Sequence, residues 1–67
     1  MNFRERLKEL RTARNMSQMA LARATSISQN MIARWELGKG EPGASALLTL
    51  SQFFGVTIEY LLGVSDW

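Results

Sequence analysis

The sequence contains no cysteine and no histidine, and each absence excludes a class of chemistry. Without cysteine, the 67-residue chain has no disulfide to stabilise it and no thiolate to bind a metal ion. Without histidine, it lacks the most common general base and the most common zinc ligand. Serine, tyrosine and lysine are present, but no base, metal-ligand set or glycine-rich phosphate loop accompanies them. We therefore predict that the protein is not an enzyme and needs no metal or cofactor.

Long apolar runs are also absent, and no stretch approaches the roughly 20 residues of a transmembrane helix. Basic residues are missing from one half of the chain: from Gly40 onward, three acidic residues give a net charge of −3. Between Arg4 and Lys39, eight basic and three acidic residues give +5. This asymmetry favours contact between the first half and a polyanion such as nucleic acid. A solvated, charged helix surface would give the same distribution, so charge alone does not decide.

Helix start and stop signals divide the chain into five short helices. Asn2 and Glu5 have the spacing of a capping box, and side-chain hydroxyls at Ser17, Ser28 and Thr57 can cap three further helices. Apolar side chains recur at helical spacing along these segments. The second helix is broken by Thr25-Ser26, and the other four are terminated by Asn15, Gly38, Gly55 and Gly63. The predicted helices cover about residues 3–14, 18–24, 29–37, 44–54 and 58–62. We therefore predict one compact all-α domain over residues 1–67.

The segment 17–36 predicts two helices joined by a tight turn. Ile32 and Trp35 lie on the inner side of the second helix, which faces the core. The opposite side carries Gln29, Asn30, Ala33 and Arg34. Glutamine, asparagine and arginine match the hydrogen-bonding groups of base edges in the major groove of DNA. An ordinary solvent-facing helix surface is also polar, so this alternative stays open on the residues alone.

These features resemble, in order and spacing, the Cro/phage-repressor type of helix-turn-helix domain, also called the xenobiotic-response-element family. The matching residues are Ser17-Gln18, Leu21-Ala22, Ile27-Ser28, Ile32, Arg34-Trp35-Glu36, Gly38-Lys39, Pro42, Leu47, Phe54-Gly55-Val56 and Tyr60-Leu61-Leu62-Gly63. The resemblance covers about residues 3–63. It implies a lambda-repressor-like fold with the helix-turn-helix in helices 2 and 3. It also implies sequence-specific binding of double-stranded DNA, usually by a transcriptional repressor.

The resemblance implies roles for single residues, because the family places the start of helix 3 in the major groove and helix 2 across the backbone. The implied base-reading residues are Ser28, Gln29, Asn30, Ala33 and Arg34. Gln29 would bind an adenine, and Arg34 a guanine or a phosphate. The implied backbone contacts are Gln18, Lys39, Arg14 and Arg23. Glu36 lies at the helix end where an acid is disfavoured, so we expect it to form a structural ion pair with Arg11.

Four positions depart from the family pattern. Ser26 stands in the turn between helices 2 and 3, where the family often has glycine, and Thr25 stands where a larger apolar residue is usual. Gly43 replaces a frequent serine cap. The loop after helix 3 carries only one basic residue, Lys39, with Glu41 nearby. These departures predict a slightly altered turn and weak phosphate binding by that loop.

We expect a homodimer on a palindromic operator, with half-sites about 34 Å apart. The expected dimer interface is the acidic, apolar C-terminal part, and its candidate residues are Val56, Ile58, Tyr60, Val64 and Trp67. The alternative function is a protein-interaction module, of antitoxin-like or antirepressor-binding type, in which DNA binding is secondary. A toxin or an antirepressor would then be the partner. The expected location is the cytoplasm, in association with the nucleoid.

Overall fold

The computed structural model describes residues 1–66, which form five α-helices with short connections. The helices are α1 (Phe3–Ala13), α2 (Gln18–Thr25), α3 (Gln29–Glu36), α4 (Ala44–Phe54) and α5 (Ile58–Leu61). No strand occurs in this part of the chain, and the predicted all-α fold is confirmed. No helix among residues 1–66 is long and apolar enough to span a membrane.

Every helix begins at the predicted residue, and four of the five end one residue away from the prediction. α1, α3 and α5 are one residue shorter than predicted, and α2 is one residue longer. Leu37 and Leu62, predicted as the last residues of α3 and α5, keep helical φ and ψ but act as C-caps. Helix ends fray in this way because their last carbonyls lack partners within the helix.

Side-chain caps fix the helix starts. The Asn2 side chain accepts a hydrogen bond from the N–H of Glu5 at 3.0 Å, and the Glu5 carboxylate accepts one from the N–H of Asn2 at 3.2 Å. Hydroxyls cap α2, α3 and α5 by accepting from the N–H three residues later, and they belong to Ser17, Ser28 and Thr57. These bonds satisfy donors that a helix leaves unpaired in its first turn. Gly43 has no side chain, so α4 begins without such a cap.

Each helix contributes one fully buried aliphatic side chain to a single core. These side chains are Leu7, Leu21, Ile32, Leu50 and Leu61. Burying each one stabilises the fold by about 1.5–3 kcal/mol. Trp35, predicted on the inner side of α3, and Phe54 are also buried, and Phe53 is half-buried against this core. The ring of Phe3 meets Trp35 edge to face at 5.9 Å between centroids, which joins α1 to α3.

Two residues other than glycine adopt left-handed backbone conformations. Asn15 has φ 56°, in keeping with its prediction as the terminator of α1. Ser26 has φ 62° in the turn between α2 and α3, where the family often has glycine. The hydroxyl of Thr25 supports this turn, since it donates to the carbonyl of Leu21 at 2.7 Å and accepts from the N–H of Ile27 at 3.3 Å.

Candidate nucleic-acid interface

The outer face of α3 presents the residues that were predicted to read bases. Ser28, Gln29, Asn30 and Arg34 are exposed, and Ala33 is half-buried. The opposite face is fixed in the core by Ile32, which is fully buried, and by Trp35. The helix therefore holds two amides and a guanidinium towards solvent, where they can donate to and accept from base edges.

A network centred on Glu36 holds the C-terminal end of α3. Arg11 of α1 forms a bidentate pair with the Glu36 carboxylate, with Nε–Oε2 at 2.7 Å and Nη2–Oε1 at 2.8 Å. Arg11 also donates to the carbonyl of Met16 at 2.7 Å. The amide nitrogen of Gln18, which was expected to contact the DNA backbone, donates to Glu36 Oε1 at 3.1 Å. One carboxylate thus ties α1, α2 and α3 together.

The same network sets the charge state of Glu36. Burial raises the pKa of the Glu36 carboxyl, but hydrogen bonds from Arg11 and Gln18 and the charges of Arg11 and Lys8 hold it below its ordinary value. The hydrogen bond to Glu36 raises the pKa of Arg11, against the opposing effect of burial. Glu36 is therefore ionised at neutral pH, and its charge is neutralised by its own partners. An acid can thus lie at the end of α3 without repelling a nearby phosphate strongly.

The predicted backbone contacts have different surroundings. Lys39, Arg14 and Arg23 are exposed, and Gln18 is half-buried through its bond to Glu36. The guanidinium of Arg14 donates to the last carbonyls of α4, at 3.1 Å from Phe53 O and 3.2 Å from Phe54 O. Arg14 therefore uses two of its five donors to hold α4.

Sequence reasoning missed two arginines of α1. Arg4 lies against the loop after α3, with Cδ and Nη1 at 3.3 and 3.7 Å from the position that a Cβ would occupy at Gly38. Arg6 is buried, with its guanidinium 3.9 Å from the centre of the Tyr60 ring. Helical periodicity could have indicated both placements. Residue 4 shares one face of α1 with residues 8 and 11, and residue 6 lies on the apolar side with residues 3, 7 and 10.

The four candidate dimer residues that the structure describes differ in exposure. Val56, Ile58 and Tyr60 are half-buried, and the Tyr60 ring is covered by Arg6 on one side. Val64 is 74% exposed. The remaining candidate, Trp67, lies outside the described residues.

Within residues 1–66, no group of three or more acidic side chains converges as a metal-binding set. The arrangement is that of a surface for polar and electrostatic contact: an exposed helix face with amide and guanidinium groups, beside further cations.

Comparison with known proteins identifies the family of this domain. The family model described as "Helix-turn-helix" matches residues 7–61, which is most of the chain. The chain belongs to the Cro/phage-repressor type of helix-turn-helix family. It is an all-α, DNA-binding helix-turn-helix domain, and the resemblance read from the sequence is confirmed.

Three relatives show how this domain occurs in other proteins. The HTH-type transcriptional activator BcrR of Enterococcus faecalis is 45% identical over 62 residues, which are 92% of this chain and 30% of the relative. The SPbeta prophage-derived uncharacterized HTH-type transcriptional regulator YonR of Bacillus subtilis is 38% identical over 90% of this chain and 56% of its own length. An uncharacterized HTH-type transcriptional regulator of Methanocaldococcus jannaschii is 34% identical over 96% of this chain and 97% of its own length. The chain thus spans about a third to about half of the first two relatives, and nearly all of the third.

Proposed function

We propose that this helix-turn-helix domain binds a palindromic operator in double-stranded DNA as a dimer and represses transcription there. The observation that carries the proposal is the exposed face of α3, with Gln29, Asn30 and Arg34 on a helix whose end is fixed by Glu36. A helix held by its buried face and its ends keeps its exposed side chains in one orientation, which base-specific hydrogen bonding requires.

Two kinds of contact follow from this arrangement. Gln29 binds an adenine with both groups of its amide, and Asn30 contacts a base or the backbone. One good bidentate contact discriminates against a wrong base by about 1–3 kcal/mol. Ser28 and Ala33 line the same face. The proposed phosphate contacts, which set affinity and register, are Gln18, Lys39, Arg14 and Arg23.

Enrichment of bound sequences from a random duplex pool tests the specific binding. We expect a two-fold symmetric sequence with half-sites about one helical turn apart. The Gln29→Ala variant should then lose preference at one base position in each half-site and keep its preference elsewhere. Equal binding to all duplexes at two salt concentrations would contradict specific reading of DNA.

The dimer is tested separately through the exposed end of the chain. Val64 is 74% exposed, and an aspartate there would oppose a self-complementary apolar contact. We expect Val64→Asp to reduce the dimer fraction in sedimentation measurements with and without operator DNA. Leu48→Asp is the matched control, since Leu48 is 50% exposed and lies on α4, outside the proposed interface. Equal sedimentation of wild type and both variants would contradict the proposed interface.

The direction of regulation needs its own measurement, because one relative is named an activator. A reporter gene placed behind the enriched operator should be less expressed when the protein is present. Increased expression would replace repression by activation and leave the DNA-binding proposal intact.

A protein-interaction module is the second candidate function. It is favoured by two exposed leucines and by a cavity of about 680 Å³, which is lined by Trp35, Pro42 and Leu62, among others. Leu37 is 65% exposed and Leu62 41%. Co-purification of a stoichiometric partner, such as a toxin or an antirepressor, would support this function if alanine variants of the α3 face remained active. Loss of activity in those variants would support DNA binding as the primary function.

A further inference from the structure

The loop between α3 and α4 includes Gly38, Lys39 and Gly40, and hydrogen bonds to α3 hold its first part. Gly38 and Gly40 have φ 79° and 77°, which a residue with a Cβ adopts only at a cost. The N–H groups of Gly38 and Lys39 donate to the carbonyls of Trp35 and Arg34 at 3.0 and 2.8 Å. These two bonds hold Gly38 and Lys39 against the C-terminal end of α3.

Two guanidinium groups from different helices lie on this loop. The Arg4 side chain crosses Gly38, where its Cδ and Nη1 are 3.3 and 3.7 Å from the position of an added Cβ. At the other glycine, Arg34 Nη2 is 3.9 Å from the corresponding position at Gly40. The missing side chain of Gly38 leaves room for Arg4, Arg34 is in ordinary contact range of Gly40, and Lys39 stands between the two glycines in sequence.

No carboxylate of the described residues forms an ion pair with this group of cations. The ion pair found among residues 1–66 joins Arg11 to Glu36, and neither Arg4 nor Arg34 takes part in it. Glu41 lines the same cavity as Arg4 but lies beyond ion-pair distance of it. Three positive charges that share a short loop repel one another, and an anion that bound between them would relieve the repulsion.

We propose that Arg4, Arg34 and the loop from Gly38 to Gly40 form a clamp for a backbone phosphate of the bound DNA. Arginine suits this role because its planar guanidinium can donate two parallel hydrogen bonds to one phosphate. The proposal rests on the proposed DNA binding and sharpens it in two ways. It adds Arg4 to the interface and assigns Arg34 to the backbone instead of a guanine, and so replaces the weak phosphate binding predicted for this loop from Lys39 alone. Sequence discrimination then depends on Gln29 and Asn30.

The test measures affinity for the enriched duplex and for an unrelated duplex at 50 and 200 mM salt. Each phosphate contact contributes about 0.9 to the steepness with which log affinity falls against log salt concentration, which we call the salt slope. The loss of one contact should therefore lower the ratio of the wild-type affinity to the Arg4→Gln affinity about 3.5-fold between 50 and 200 mM salt. The loss should be the same for both duplexes. Arg34→Gln should behave alike, and Arg4→Lys, which keeps the charge, should recover most of the slope.

Gln52→Glu is the matched control, because it lowers the net charge by the same one unit on the exposed surface of α4, away from the loop. It should keep the wild-type slope, and equal melting temperatures would show that the variants are folded. An unchanged slope in Arg4→Gln would overturn the clamp. So would an effect of Arg34→Gln that is confined to the enriched duplex, since that is the behaviour of a base reader. If the wild type shows no preference between the duplexes, the proposed specific reading fails, while an Arg4-dependent slope on both would still support the clamp.

Discussion

Two turns of this domain are built on the same plan, one between α2 and α3 and the other between α4 and α5. In each, a left-handed residue ends the first helix, an apolar residue follows, and a hydroxyl caps the second helix. The left-handed residues are Ser26, with φ 62° and ψ 19°, and Gly55, with φ 68° and ψ 34°. Ser28 and Thr57 provide the caps, at 3.2 and 3.0 Å. The two turns thus have similar backbone conformations but place a different residue type, serine or glycine, at the left-handed position.

The difference between the turns lies in what holds them. Gly55 adopts its conformation without a Cβ, so its turn needs no further support. Ser26 carries a Cβ in a conformation that costs roughly 1–2 kcal/mol, and its turn is supported by side-chain hydrogen bonds. Thr25 bonds to the backbone on both sides of it, and Glu36 fixes the far end of α3. Side-chain hydrogen bonds can therefore hold a helix-turn-helix in which glycine is replaced.

The largest effect should come from removing the ion pair that holds the α2–α3 side. Arg11→Met leaves Glu36 as a buried carboxylate without its main partner, which costs about 3–5 kcal/mol. That is a large part of the total for 67 residues, at about 0.05–0.15 kcal/mol per residue. Urea unfolding at neutral pH measures the loss.

Arg14→Met is the matched control on the α4–α5 side. Arg14 is exposed and donates only to backbone carbonyls, which water can reach when the side chain is removed. We expect this variant to lose less than about 1.5 kcal/mol. Equal losses of unfolding free energy in the two variants would contradict this prediction, because they would mean that comparable contacts hold the two sides of the domain.

Acid should weaken the α2–α3 side in a defined range of pH. The pKa of Glu36 is held below its ordinary value of 4.5, so its contribution to the free energy of unfolding is complete above that value. The contribution is lost as the pH falls from about 4.5 through the lower pKa of the folded state. Urea unfolding between pH 7 and 3 should show this loss, and the NMR carboxyl shift of Glu36 should titrate below 4.5.

Glu9→Gln serves as the control for this titration, since it removes an exposed carboxylate that forms no ion pair within residues 1–66. Its unfolding free energy should fall with acid as that of the wild type does. A Glu36 carboxyl that titrates above 4.5 would show that burial outweighs the bonds from Arg11 and Gln18.

Local chemistry explains which parts of the fold could be predicted. The helix starts followed from single capping residues, such as Ser17 and Thr57, because a cap acts on the N–H three residues away. The bond from Gln18 to Glu36 and the position of Arg4 over Gly38 join different helices. They depend on how the helices cross, which a pattern along one helix does not contain. The roles of Gln29 and Arg34 on DNA stay predictions, because they depend on a partner molecule.

The smallest effect tests the comparison of the turns directly, through an exchange of their left-handed residues. Gly55→Ser should cost about 1 kcal/mol. An added Cβ at Gly55 meets nothing within 4 Å, so this cost reflects the backbone alone. Ser26→Gly should gain less, about 0.5 kcal/mol, because the added freedom of the unfolded chain offsets part of the relieved strain. Thr25→Val, which removes the hydroxyl that supports the turn, should enlarge the gain from Ser26→Gly when the two are combined. The opposite outcome is that Ser26→Gly raises the free energy of unfolding equally in the wild type and in the Thr25→Val background. That result would show that the Thr25 hydrogen bonds do not hold the turn and that the two turns need no different support.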